Sequence, residues 1–164
     1  MRRIFFATVP LLALAALATA QTKISGTAQC AKPDPMHSIA VGDRPNHSYM
    51  ISQFKCTWTK PVDYGVTQST QGMSTQFDDV TGSSSRSHGL FVDTTANGDK
   101  LHVSYQSKAT LKDGMPQTIE SNWAFASGTG KLKGIKGKGT AKGTGNPDGS
   151  VTYEIEGEFS LPKK

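Results

Sequence analysis

The stretch Ser127-Gly128-Thr129-Gly130-Lys131-Leu132-Lys133-Gly134-Ile135-Lys136-Gly137-Lys138-Gly139 decides how the rest of the chain is read. It resembles a phosphate loop and fails the test for one. The pattern G-x-x-x-x-G-K-[ST] needs Ser or Thr after a Gly-Lys pair, and no Gly-Lys in the chain is followed by either. The dinucleotide fingerprint G-x-G-x-x-G fails too, because Gly128, Gly130 and Gly134 are spaced G-x-G-x-x-x-G. Strand geometry remains. Lys131 and Lys133 share one parity, Lys136 and Lys138 the other, so a strand over 131–143 that keeps its lysines in water needs an extra residue near Gly134. That predicts a β-bulge, and bulges with inward glycines are how a sheet bends enough to close.

Outward from this stretch the chain is regular. Asn97-Gly98 and Asp113-Gly114 are hairpin signals, and Asn146-Pro147-Asp148-Gly149 is a further turn. Strands are predicted over 87–95, 100–110, 116–126, 131–143 and 150–160, an antiparallel meander. Leu101, Val103 and Tyr105 share a face, as do Ile119, Trp123 and Phe125, and Val151, Tyr153, Ile155 and Phe159. His102, Lys108, Glu120, Glu154, Glu156 and Glu158 fall on the opposite faces. One apolar face, one wet face and no helical period imply a sheet closed on itself. The expectation is an all-β fold, a single antiparallel up-and-down barrel of about eight strands.

Earlier segments fit less tightly. Residues 24–30 read as a strand with Ile24, Ala28 and Cys30 on one side. Residues 49–59 form another, with Phe54, Cys56 and Trp58 facing one way and Gln53, Lys55, Thr57 and Thr59 the other. Between 62 and 86 only a strand around 73–80 and a loop over Gly82–Ser85 are readable.

The N-terminus reads as an export signal: Arg2 and Arg3, an apolar run from Ile4 to Leu17, then Ala18-Thr19-Ala20 for cleavage before Gln21. The run is short for a membrane span, and no Cys follows the cleavage site, so no membrane anchor is expected after cleavage. The domains are thus 1–20, signal, and 21–164, one barrel. The expected address is periplasmic or secreted. Loss of Arg2 and Arg3 lowers the net charge from +5 to +3, too weak a balance to demand a polyanionic partner. Cys30 and Cys56 pair as a disulfide in an oxidising compartment. Asn46-His47-Ser48 is a glycosylation sequon.

Ser127 to Gly139 also resembles the Gly-Gly-Thr-Gly-Lys-Phe … Gly run of dirigent and allene oxide cyclase-like barrels. Gly128, Gly130, Lys131 and Gly137 match it, and Ser127 and Leu132 replace its first Gly and its Phe. The run Asp148 to Phe159 is similar to the closing strand of exported bacterial proteins of that type. The resemblance implies an eight-stranded barrel related to the calycins, with members that cyclise an epoxide or steer radical coupling, often as oligomers. A monomer and a small oligomer are both open for this chain. No active group of the family matches a position in this chain, so the likeness carries fold and leaves activity open.

Weighing the residues gives a non-catalytic barrel, a binder of a small apolar ligand or an interaction module, before an enzyme. The lysines of 136–142 are expected beside Glu154, Glu156 and Glu158 on the next strand, which argues against nucleic acid, as does the inward direction of the aromatics. Parity places Ser52, Tyr105, Ser107, Ser121 and Tyr153 inside. Asp78 and Asp79 are adjacent, so one faces inward, the only interior carboxylate expected. Asp43, His37 and His47 have no metal-ligand spacing and read as solvated loop residues; neither metal nor cofactor is expected. Phe54, Trp58, Tyr105, Trp123, Phe125 and Tyr153 are the candidate ligand-binding residues. Their ordinary role is to fill the core; any void they leave suits a small apolar or aromatic molecule. The alternative function is a cyclase or isomerase acting inside the barrel.

Overall fold

In the computed structural model, which describes residues 21–162, nine strands follow one another. They are β1 (Thr22–Cys30), β2 (Met36–Ala40), β3 (His47–Lys60), β4 (Ser69–Thr81) and β5 (Ser84–Thr95), then β6 (Lys100–Lys112), β7 (Met115–Gly128), β8 (Lys136–Gly145) and β9 (Val151–Ser160). The expected export signal and the cleavage point after Ala20 lie outside the described residues. From β3 to β9 each strand pairs antiparallel with the next, β9 pairs with β1, and β1 closes onto β3. This is a closed eight-stranded up-and-down barrel. β2, which the sequence reading did not assign, continues along the β3 edge after β1 has left it.

Register partners followed once round the barrel from Ser48 return to β3 at Trp58, ten residues further on. Over eight strands that stagger tilts each strand by about 40° from the axis. The closing seam is short, four partner pairs, and its last pair is Cys30 opposite Cys56. These two form the disulfide, buried within the wall. The closed loop separates its ends by 26 residues, which on the chain-entropy account stabilises the fold by about 3–4 kcal/mol.

The expected bulge at Gly134 is corrected. Residues 131–135 are not strand: Gly130–Leu132 form a 3-10 turn, Gly134 has φ +78, and β8 starts at Lys136. The parity shift of the lysines is thus absorbed by a turn between strands. Leu132 and Ile135, on opposite parities, are both buried and stop one end of the barrel. The turn is anchored to the β5–β6 hairpin, where Lys131 N donates to Asp99 Oδ2 at 2.9 Å and Lys100 N donates to Thr129 Oγ1 at 2.7 Å. The segment 61–68 closes the same end, with Val62 and Tyr64 buried there.

Interior glycines face interior rings. A Cβ on Gly139 would stand 2.4 Å from Trp123 and 2.0 Å from the Glu156 carbonyl, and one on Gly157 would also stand 2.4 Å from Trp123. Gly72 lies under Phe91, Gly89 under the Tyr105 hydroxyl, Gly143 beside Tyr153, and Gly26 beside Trp58. Each ring lies against a wall lacking a side chain, and so stays at the edge of the barrel instead of filling its middle.

The outside differs from the uniformly wet face expected. Around β7, β8 and β9 it is charged, and Lys142 faces Glu154 and Lys138 faces Glu158 in register, with Lys136 opposite Ser160. None of these pairs closes into a salt bridge among the described residues. On β2, β3 and β5 the outer wall exposes Ile39, Tyr49, Ile51 and Leu90. Tyr49 and Ile51 share the outward parity of Gln53 and Lys55, so alternation alone did not separate them from the wet residues.

Gly139→Ala is expected to destabilise the barrel by about 1–3 kcal/mol, because the clash is with the β9 backbone and cannot be relieved by a side-chain rotation. Urea unfolding measures this; an unchanged midpoint would show that the β8–β9 wall has room to spare.

Candidate functional site: an aromatic-walled cavity

The barrel interior holds a cavity of about 120 Å³, partly open to solvent. Strand alternation aims β3, β6, β7 and β9 side chains at it, and Phe54, Trp58, Tyr105, Trp123, Phe125 and Tyr153 all line it. Ser107 and Ser121 line it too, hydrogen-bonded to each other at 2.7 Å. Ser52 is buried but lies off the cavity.

Both indole N–H groups are turned into the wall. Trp123 Nε1 donates to the Thr140 carbonyl at 3.0 Å, and Trp58 Nε1 donates to Asp93 Oδ1 at 2.9 Å. Their apolar faces are left to the cavity.

Asp93 corrects the expectation of a single interior carboxylate. It is 1% exposed, on the cavity wall, and accepts from Trp58, from Ser69 Oγ and, at 3.4 Å, from Tyr64 OH. Burial pushes its carboxyl up to about 6, against the opposing pull of those three hydrogen bonds. Tyr64 belongs to the segment that closes the barrel end and Ser69 opens β4 directly after it, so Asp93, on β5, ties that cap to β3 and β4. Its inward direction follows from register: Asp93 is the partner of inward-facing Leu101 across the Asn97-Gly98 hairpin. A two-residue Asn97-Gly98 loop would set Thr94 opposite Leu101; the observed register is shifted by one residue, so neither the hairpin signal nor composition finds Asp93.

Of the adjacent pair, Asp78 faces inward and Asp79 outward. Asp78 accepts from Gln76 Nε2 at 2.9 Å and from Ser87 Oγ. The Gln76 amide oxygen accepts from Tyr105 OH at 3.0 Å, and Ser74 Oγ is 2.6 Å from the same hydroxyl. Burial raises the Asp78 carboxyl from its ordinary value and pushes the Tyr105 phenol up to about 12. Burial likewise raises the Tyr153 phenol, helped by the nearby Tyr105 and Asp78, so Tyr153 is a neutral O–H at any ordinary pH.

His47 departs from its expected solvated state. It is 6% exposed, with Nδ1 against Asp43 Oδ1 and Nε2 3.0 Å from Asp79 Oδ1. Carboxylate oxygens only accept, so both ring nitrogens are satisfied when both carry protons. His37 lies apart on β2, and no group of three His, Cys, Asp or Glu among the described residues is placed to hold a metal ion.

Solved structures of similar shape exist. The pterocarpan synthase dirigent protein GePTS1 superposes with a TM-score of 0.50 and 14% identity, over 98% of this chain and 100% of its own. The pterocarpan synthase dirigent protein PsPTS1 gives 0.50 and 14%, over 88% and 97%. A protein of unknown function from the DUF3224 family of Shewanella oneidensis MR-1 gives 0.51 and 16%, over 88% and 100%. No family model and no curated protein matches the chain. At these identities the likeness establishes a dirigent-like barrel fold and nothing finer.

Asp93 sets a pH dependence whose sign is fixed by its direction of shift. Its folded value lies above the ordinary 3.8, so the stability it contributes is present below that value and is lost as pH rises through about 6. The loss is on the order of 3 kcal/mol. Between pH 4 and 6 wild type should therefore lose stability relative to Asp93→Asn, as read by chemical denaturation at each pH. Parallel profiles would mean that Asp93 does not titrate in this range.

Proposed function

We propose that the barrel binds a small apolar or aromatic molecule in its interior, as an exported binding module. The observation that carries this is the cavity itself: the rings of Trp58, Phe91, Tyr105, Trp123 and Tyr153 lie against glycines at the wall, both indole N–H groups are turned away, and apolar faces remain around an open centre. Apolar concavity with few polar groups is the usual form of a small-molecule site. The N-terminal export pattern supports the exported location, and the Cys30–Cys56 disulfide is compatible with it.

A second reading is ring-forming or isomerising chemistry inside the barrel. Asp93 favours it, as a carboxyl poised near 6 on the cavity wall, and two similar barrels are named for pterocarpan synthesis. Binding is preferred because both interior carboxylates already accept from wall donors and neither has a paired group of opposite role beside it.

Native mass spectrometry of protein purified from its own host, followed by thermal-shift screening with neutral single-ring compounds, tests the reading. A ligand at 100 times its dissociation constant adds about 2.7 kcal/mol, roughly 5–10 °C for a domain of this size. A co-purifying small molecule, or shifts lost in Trp58→Ala and Trp123→Ala, is the expected result. If nothing travels with the protein, nothing shifts the melt, and both variants only lower stability, the binding reading fails.

A further inference from the structure

The polar inventory of the cavity is nearly closed. Asp93, Ser74, Tyr105, Ser107, Ser121, Tyr64 and both indoles have partners within the wall. Tyr153 is the exception: it lines the cavity, and its hydroxyl has no hydrogen-bond partner among the described residues. No inaccessible side-chain nitrogen or oxygen among the described residues lacks a partner, so this hydroxyl reaches the open space of the cavity and is free to donate to an acceptor placed there.

Charge narrows the choice further. Two carboxylates, Asp78 and Asp93, are buried inside, and among the described residues no Lys, Arg or His lines the cavity. An anion would therefore enter a site with no counter-charge and with negative neighbours. A cation fares little better. An ammonium has three N–H donors to place, whereas Asp93 already accepts from Trp58, Ser69 and Tyr64, and Asp78 from Gln76 and Ser87. Size sets the last limit: the cavity of about 120 Å³ is close to the roughly 150 Å³ engineered cavity that takes benzene.

Building on the binding reading above, we infer that the ligand is a neutral, single-ring molecule with one acceptor oxygen, a ketone or an ether, to which Tyr153 OH donates. Tyr153 selects by that one hydrogen bond, and the buried carboxylates select against anions.

Four six-membered-ring probes test this by calorimetric titration of the folded protein at pH 7: cyclohexanone, methylcyclohexane, cyclohexanecarboxylate and cyclohexylammonium. Wild type should bind cyclohexanone about five- to ten-fold more tightly than methylcyclohexane, the fold-change of one buried hydrogen bond, and should not bind the carboxylate. In Tyr153→Phe that preference should vanish while methylcyclohexane affinity stays within about two-fold, which also shows that the variant is folded and its cavity intact. If the ring compounds bind but Tyr153→Phe keeps the ketone preference, or if the carboxylate or ammonium binds best, the inference is overturned and the binding reading stands. If no probe binds at all, the binding reading falls, and this inference with it.

Discussion

Rings on glycines are the constraint from which the rest of this barrel follows. An eight-stranded barrel is narrow enough for side chains to fill it completely. Here Trp123 lies against Gly139 and Gly157, Phe91 over Gly72, and Tyr105 over Gly89, so that large residues consume wall space in place of central space. The contacts are tight: the Cβ missing from Gly139 would sit 2.0 Å from a backbone carbonyl of the next strand. Where the wall is this close, packing is good and the middle is still open. A cavity beside dense packing is then an ordinary consequence of where the glycines stand.

The cap depends on a different interaction. The segment 61–68 carries Val62 and Tyr64 into the barrel end, and Tyr64 meets Phe125 and Phe159 edge-on at 6.1 and 5.7 Å. Those contacts are non-directional. Direction comes from Asp93, which gathers Trp58, Tyr64 and Ser69 on one carboxyl. Removing one partner of such a buried group costs more than the bond itself is worth, because the remaining partner is left unsatisfied. The same network holds Trp58 with its face to the cavity, which links the closure of the barrel to the shape of the site.

Much of this was legible in the sequence, because alternation is a local signal. The inward parity of Ile24, Cys56, Trp123 and Tyr153 needs only neighbouring residues to read. Closure was legible from the absence of any helix to cover an apolar face. Three things were not. The turn at Gly130–Leu132 and the expected bulge at Gly134 explain the same shift of lysine parity; what separates them is that Leu132 and Ile135 pack across a barrel end, a tertiary fact. Asp93 is a carboxylate on an inward position, and composition argues against such a placement until its three donors, from distant segments, are in place. β2 has no buried residue and exists because the upper half of β3 has a free edge, which no pattern within Met36–Ala40 encodes.

The central claim is that the middle of the barrel is open and apolar. Diffraction from crystals held under xenon pressure tests it without assuming any ligand, since xenon enters dry apolar cavities and is readily located by its scattering. The account predicts a xenon atom inside the barrel, in contact with Trp58, Trp123 and Tyr153. An interior with no xenon, and with those rings packed against one another across the centre, would contradict it.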